Sequence, residues 1–357
     1  MYFHPLPALV SLSSLFLLSA ASTIPQPRSN GLPLPSHLVH EFSNPTWIEN
    51  IAVKSTGQLI LTLATSPDVY YLDPASPAIA SLIYQFPASL AAGALGITEV
   101  KPDQFYVLTS NFSLATLNLG LNTGSVHLID LSSYNPSTNT GAVIKNVTDV
   151  PKISFSNGMS TLDASKNLVV IADSIAGALW VLDVKTGEYR ILLQEQEMVA
   201  PTVSSGFSLG INGVRVLPSS ADDVYIYFDN TNAHLFCRVP LSLSTLKKTG
   251  PVEILANLTS SGLTTDDFAL DPDEGVAYLA CQANQILRVP LAGGTAVDVL
   301  GGLNETVVAG PTSVAFARGE GCDGRFYVTT NGGLLAKVNG TYTEGGKVVA
   351  VDTKGWI

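Results

Sequence analysis

The sequence predicts an all-β fold, a six-bladed β-propeller of four-stranded blades closed by an N-terminal strand. Three patterns carry the prediction: short alternating apolar runs rich in β-branched and aromatic residues, turn residues between them, and a long internal repeat. The repeat is marked by a run ending in Asp or Pro, at Asp73, Asp130, Asp183, Pro240, Pro290 and Asp352, at intervals of 57, 53, 57, 50 and 62 residues.

Each repeat opens on an inner strand: WIENIAV, ALGITEV, GMSTLD, INGVRVL, DDFALD and PTSVAFA. A second strand follows as QLILTLA, QFYVLTS, NLVVIAD, DVYIYFD, VAYLACQ and RFYVTTN. The third carries the marker: VYYLD, VHLID, LWVLD, FCRVP, ILRVP and VVAVD. A fourth follows in five repeats as SLIYQF, AVIKNV, YRILL, VEILANL and VDVLGGL. The sixth repeat has no room for one before Ile357, but His37 to Phe42 resembles Ser81 to Phe86 and runs directly into the first inner strand. These N-terminal residues are expected to complete the sixth sheet, which protects its edge and joins the chain ends. A pair of β-sandwiches and a parallel β-helix are the alternatives, and the repeats are too long for single β-helix coils.

Ahead of the propeller, Leu9 to Leu18 is a short apolar run followed by small residues at Ser19, Ala20, Ala21 and Ser22. It reads as a secretory signal peptide over residues 1–21, too short for a membrane anchor, with a linker over 22–36 and the propeller over 37–357. A secretory or extracellular location agrees with five N-x-[ST] sequons, at Asn111, Asn146, Asn257, Asn304 and Asn339, each a glycosylation candidate. Cys237, Cys281 and Cys322 allow at most one intramolecular bridge and have no zinc-site spacing. Stability is therefore expected from packing.

Apolar residues make up 46% of the 357-residue chain and charged residues 13%, about half the usual proportion of charge. This excludes a disordered chain or a coiled coil. With 18 basic against 29 acidic residues and no basic run, nucleic-acid binding is not expected. The expected partner is a small-molecule substrate, with no membrane contact after signal removal and a monomeric state.

Propeller topology puts the second-to-third and fourth-to-first connections on one face, around the central channel. Three of these are long: Asn111 to Gly124, Gln194 to Leu209, and Asn331 to Gly345. They are expected to form a rim or lid where ligands bind. The inner strands start at the same mouth and offer Glu49-Asn50, Leu95-Gly96, Asn157-Gly158, Asn212-Gly213, Asp266-Asp267 and Gly310-Pro311-Thr312. Two carboxylates and two amide carbonyls converging on one axis would suit a hard cation such as Ca²⁺ or Mg²⁺. They would equally hydrogen-bond channel water. Trp47, Phe112, Leu117 and Phe207 lie near the inferred mouth as candidate apolar walls.

Asp266-Asp-Phe-Ala-Leu-Asp271 followed by VAYLACQANQILRV, the two Asn-Gly pairs at Asn157 and Asn212, and Glu49 together resemble the gluconolactonase, regucalcin and senescence-marker family of six-bladed propellers. The resemblance spans all six blades. It implies a single divalent cation held by Glu49, Asn157, Asn212 and Asp266, with Asp266 as general base of a lactone hydrolase. The chain departs from the family in blade 1, where Glu49-Asn50-Ile51 replaces the usual Glu-Gly-Pro. The signal run, the string Trp-Ile-Glu-Asn-Ile-Ala-Val and the run from Leu59 to Asp73 are similar to a narrower fungal branch of secreted propellers. That branch includes hetero-Diels–Alderases of secondary metabolism, which couple a tropolone quinone methide to a terpene alkene. A pericyclic step requires no cofactor, and in it Glu49 and Asp266 would serve catalysis and Trp47, Asn157, Phe207 and Asn212 substrate binding, with or without a single Ca²⁺ or Mg²⁺ in the channel.

Other catalytic readings are poor. His4 falls in the signal run, His37 and His40 in the closing strand, and His127 and His234 away from the axis, so a Ser-His-Asp triad lacks a base. There is no G-x-S-x-G and no phosphate loop. The expectation is an enzyme of small-molecule biosynthesis resembling a hetero-Diels–Alderase. A metal-dependent lactonase and a non-catalytic binding propeller are the alternatives.

Overall fold

The structure, a computed structural model, describes residues 31–116, 118–202, 208–319 and 324–354. The N-terminal run read as a signal peptide, Leu117, Phe207 and Cys322 lie outside these residues.

The described residues form six antiparallel sheets in a ring. The closing strand is β1 (Ser36–Glu41). Blade 1 holds β2 (Ile48–Val53), β3 (Leu59–Leu63), β4 (Asp68–Leu72) and β5 (Ala80–Gln85). Blade 2 holds β6 (Gly93–Lys101), β7 (Gln104–Ser110), β8 (Ser125–Asp130) and β9 (Val143–Asp149). Blade 3 holds β10 (Ser156–Asp163), β11 (Leu168–Asp173), β12 (Ala178–Asp183) and β13 (Tyr189–Leu193). Blade 4 holds β14 (Ile211–Pro218), β15 (Asp223–Asn230), β16 (Leu235–Ser242), the two-residue β17 (Lys247–Lys248) and β18 (Glu253–Asn257). Blade 5 holds β19 (Thr265–Asp271), β20 (Val276–Cys281), β21 (Gln285–Pro290) and β22 (Val297–Gly301). Blade 6 holds β23 (Pro311–Phe316), β24 (Arg325–Thr330) and β25 (Lys347–Asp352).

β1 completes blade 6, pairing antiparallel with β25 from Ser36 opposite Val351 to Glu41 opposite Lys347. Packing contacts extend slightly ahead of the expected strand. Leu34, within the stretch read as linker, is buried between blades 5 and 6, and its N–H donates to the Val299 carbonyl at 2.8 Å. The closure is locked at the axis too, where the Thr312 hydroxyl of blade 6 donates to the Ile48 carbonyl of blade 1 at 2.6 Å.

The apolar faces of the strands bury against their neighbours as six clusters, one at each junction between blades. Alternation along each strand supplies both faces of a sheet, so every blade packs on two sides. Cys237 and Cys281 are buried free thiols within these cores. Burial raises the pKa of both, that of Cys281 to about 11, so they act as apolar packing rather than nucleophiles. No helix among the described residues is long and apolar enough to cross a membrane.

Candidate functional site

One local device places the site residues. Every inner strand slips its register against the second strand at the same level. The slips fall at Ile48/Asn50, Ala94/Ile97, Ser156/Met159, Ile211/Val214, Thr265/Phe268 and Pro311/Ser313. A bulge bends the strand and re-aims the extra residue. The slips bracket Glu49, Leu95, Asn157, Asn212, Asp266 and Thr312, all read from the sequence as inner-strand starts at the channel mouth. The glycines that follow three of them allow the strands to crowd the axis. A Cβ at Gly96 would overlap the Asn157 carbonyl, and one at Gly158 the Asn212 carbonyl.

Five of the six ring residues line a cavity of about 410 Å³ at the channel mouth. Its apolar wall is formed by Trp47, Leu95, Phe112, Leu114, Leu119 and Phe155. Trp47 meets Phe112 edge-on at 5.9 Å, and Phe112 lies 6.1 Å from Phe155. Its polar side carries Glu49, Asn157, Asn212, Thr231, Asp266 and Gln282. The three long connections contribute to the lining, through Phe112, Leu209 and Leu335.

The carboxyl groups are unusual in their surroundings. Glu49 is buried, and its Oε2 has no hydrogen-bond partner. Burial, reinforced by the Asp267 carboxylate, raises its pKa from 4.5 to about 7. The nearby Trp47 indole opposes this, yet Trp47 Nε1 makes no hydrogen bond of acceptable geometry. Asp266 is held at both oxygens, by Asn212 Nδ2 at 2.9 Å and Gln282 Nε2 at 2.7 Å. Its pKa stands well above the carboxylate range, first through burial and then through Glu49, Asp229 and Asp267. Asp229 is also raised by burial and is pinned by the Thr265 hydroxyl at 2.6 Å and the Gly213 N–H at 2.7 Å.

Asp267 forms a second level below the cavity. Its Oδ2 accepts from Arg215 at 2.7 Å, Asn50 at 2.9 Å and Ser313 at 3.0 Å. This cluster is the floor of the site, and neither Arg215 nor Asp267 lines the upper cavity.

The donor set can be tested against a divalent cation. Glu49 Oε2, an acceptor buried without a donor, is an atom that a cation would satisfy. A cation would also replace the protons that burial favours on Glu49 and Asp266. Asn157 Nδ2 donates to Ser174 Oγ at 3.3 Å, leaving its Oδ1 as a ligand atom. No group of three or more His, Cys, Asp or Glu suited to a metal occurs among the described residues. A cation would therefore rest on Glu49, Asp266 and amide oxygens, the donors of a hard-metal site.

The structure thus brings together Trp47, Glu49, Asn157, Asn212 and Asp266, with Phe112 on the wall. Phe207 and Leu117 fall outside the described residues. Thr312 belongs to the ring but turns to the backbone, as described above. Gln282, Thr231 and Phe155 were not anticipated; the first two directly follow the second strands of blades 5 and 4, at the ring level, and that position is visible in the sequence. His127 lies on β8 away from the cavity, hydrogen-bonded to Thr109 at 3.1 Å, and burial lowers its pKa to about 4. The five sequon asparagines are exposed.

No family model matches the chain. It is 26% identical over 344 residues to a Phoma protein named "Putative hetero-Diels-Alderase", covering 90% of this chain and 94% of the relative. It is also 26% identical over 362 residues to "Putative hetero-Diels-Alderase asR5" of Sarocladium schorii, covering 91% and 85%. Among solved structures, a luciferin-regenerating enzyme matches with a TM-score of 0.63 at 14% identity, over 90% of this chain and 96% of that one. Regucalcin of Agrobacterium tumefaciens matches with a TM-score of 0.59 at 16% identity, over 90% and 94%. Over nearly its whole length the chain is similar in sequence to proteins named as hetero-Diels-Alderases, and in fold to regucalcin-type propellers.

Proposed function

We propose that the protein couples two small molecules by a hetero-Diels–Alder reaction in the cavity at the channel mouth. The observation that carries this reading is a largely apolar cavity in which burial shifts the carboxyl groups of Glu49 and Asp266 toward the neutral acid. In such a reaction a C=C–C=O unit meets an alkene. One C–C and one C–O bond form, and no proton or leaving group departs. The protein's task is to hold both partners in a reactive pose and to keep water from the electrophile. Trp47, Phe112 and Phe155 supply the apolar walls. Protonated Glu49 donates a hydrogen bond to the heterodiene oxygen, withdrawing charge as the new bonds form. Asp266, gripped by Asn212 and Gln282, maintains the polar side of the site. No cofactor takes part.

The names of the two sequence relatives support this reading. The N-terminal apolar run and the exposed sequon asparagines support a route through the secretory pathway, with glycans on the mature monomer. The test is to generate an ortho-quinone methide in situ beside a hydrocarbon alkene. Faster cycloaddition than the background, with one enantiomer in excess, is expected. Racemic product at the background rate would sink the proposal.

A second reading, a lactone hydrolase using one divalent cation, is favoured by the convergence of Glu49, Asn157, Asn212 and Asp266. Bound there, Ca²⁺ or Mg²⁺ would supply a Lewis acid for the lactone carbonyl. Lactone hydrolysis that requires added metal and is lost in Asp266→Ala would establish that reading in place of the first.

A further inference from the structure

Charge is distributed unevenly between the two faces of the ring. On the mouth face the connections 86–92, 111–124, 174–177, 258–264 and 282–284 contain no charged residue, and the others hold scattered charges such as Lys152, Glu197, Glu305 and Lys337. The opposite face is charged at most of its connections, for example at Lys101 and Asp103, Asp183 and Lys185, and Asp271, Asp273 and Glu274. Exposed apolar side chains are distributed the other way. Leu90, Leu121, Val199, Leu303, Leu335 and Tyr342 stand exposed on mouth-face connections, against Ile79 on an opposite-face connection among the described residues. A low-charge face with exposed apolar side chains is one on which copies of a protein associate.

The sequons follow the apolar side chains. None of the five falls in an opposite-face connection, and Asn111, Asn304 and Asn339 fall in mouth-face connections. Asn304 and Asn339 come from different connections, yet both border one hollow of about 480 Å³. The hollow shares Thr264, Gln282 and Ala336 with the cavity, so it opens beside the channel mouth. Leu303, 69% exposed, forms another part of its wall, and Leu335, 55% exposed, stands next to Ala336.

Both asparagines are displayed on fixed turns. Asn284 Nδ2 donates to the Leu303 carbonyl at 2.9 Å, and Asn284 Oδ1 accepts from the Gly310 N–H at 2.8 Å, which clamps the 302–310 connection at both ends. Asn339, with a φ of 52°, stands in a turn closed by the pairing of Val338 with Tyr342. Both side chains are exposed and take part in no hydrogen bond among the described residues, whereas the Asn257 amide oxygen accepts from the Thr259 N–H at 3.0 Å.

We infer that Asn304 and Asn339 both carry N-linked glycans, whose first sugars occupy the shared hollow, cover the apolar rim at Leu303 and Leu335, and keep the mouths of two molecules from associating. Neutral sugars hydrate this rim without placing charge beside a cavity that works by excluding water. The inference rests on the secretory route proposed above and gives two of the sequons a specific role at the site.

The test uses the full chain secreted from a yeast host. Peptides containing Asn304 and Asn339 are mapped by mass spectrometry, and glycan is expected on both. Thr306→Ala and Thr341→Ala together remove the two sequons while leaving both asparagines in place. In sedimentation velocity the parent should be a monomer, and the double variant should self-associate at least about tenfold more tightly. Each single variant, which keeps one of the two glycans, should show a smaller gain if the double variant is not secreted. Adding Leu303→Ser to the double variant should restore most of the monomer. Circular dichroism checks the fold of each protein. Sequon-deleted variants that stay as monomeric as the parent, association that Leu303→Ser does not relieve, or glycans on Asn146 and Asn257 with none on Asn304 and Asn339 would overturn the inference and leave the secretory route standing. A secreted chain without glycan at any sequon would remove the glycans of both proposals.

Discussion

Glu49→Gln should flatten the pH dependence of stability. In the folded protein the Glu49 pKa is raised from 4.5 to about 7 by burial and by Asp267. Below its ordinary pKa both folded and unfolded chains hold the proton, and the group has no effect. Between 4.5 and 7 the folded chain keeps a proton that the unfolded chain has lost. Stability then falls as pH rises, by about 1.4 kcal/mol per pH unit. Above 7 the deficit is constant at about 3 kcal/mol, from the shift at about 1.36 kcal/mol per unit. An amide of the same shape does not titrate. Its own burial costs about 1–3 kcal/mol at every pH, so the informative quantity is a slope. Urea unfolding midpoints from pH 4 to 9 provide it. The wild type should lose about 3 kcal/mol more than the variant between pH 4 and 8. Removing Glu49 also removes one cause of the raised Asp266 pKa, which widens the difference in the same direction. Parallel wild-type and variant profiles across this range would refute the buried, neutral Glu49.

If neutral Glu49 polarises the heterodiene, kcat/KM should fall as pH rises through about 7, and Glu49→Gln should give a lower, flat profile in a stopped-time product assay. Gly158→Ala should lower stability by roughly 1–3 kcal/mol in urea unfolding, because the added Cβ meets the Asn212 carbonyl on a neighbouring blade. Arg215→Met should cost roughly 3–5 kcal/mol by leaving the Asp267 charge unpaired, and adding Asp267→Asn should recover part of the loss. Calcium at millimolar concentration should leave all these slopes unchanged if the site works without a cation. A calcium-dependent gain at pH 8 that disappears in Glu49→Gln would instead place the ion on that carboxylate.

The architecture was legible because it rests on local, repeated signals. Alternation marks each strand, and the marker run in each repeat fixes the blade count. The closing strand could be read from the likeness of His37–Phe42 to a fourth strand, and it pairs with β25 as expected. The ring of Glu49, Asn157, Asn212 and Asp266 was legible because topology puts every inner strand start at one mouth. The bulges that aim these residues were not legible. A register slip is a relation between two strands, and it leaves no mark in either strand alone. Thr312 was read only as part of the blade 6 strand start, and the bond of its hydroxyl to the Ile48 carbonyl across the closure depends on two blades meeting. Gln282 and Thr231 escaped notice because their importance comes from hydrogen bonds to Asp266 and from Asn212, each made within one blade across the register slip between its first two strands.

The two levels of the ring divide the labour of fold and chemistry. At the lower level, Arg215, Asn50 and Ser313 satisfy one oxygen of Asp267, while the Phe268 N–H occupies the other at 2.8 Å. Those contacts join blades 1, 4, 5 and 6 and close the floor without facing the cavity. At the upper level Thr312 and the Asn212–Asp266 pair still join blades, whereas Asn157 bonds only within its own blade and can change with less effect on assembly. A carboxylate-rich upper ring open to water would favour a cation. The same ring against Trp47, Phe112 and Phe155 has its carboxyls pushed toward the neutral acid, because desolvation opposes charge there. Burial is the largest cause of the raised Glu49 pKa; the Asp267 carboxylate adds to it and the Trp47 indole opposes it. Replacing the wall by polar side chains should lower the Glu49 pKa, and with it the preference for hydrogen-bond donation over metal binding.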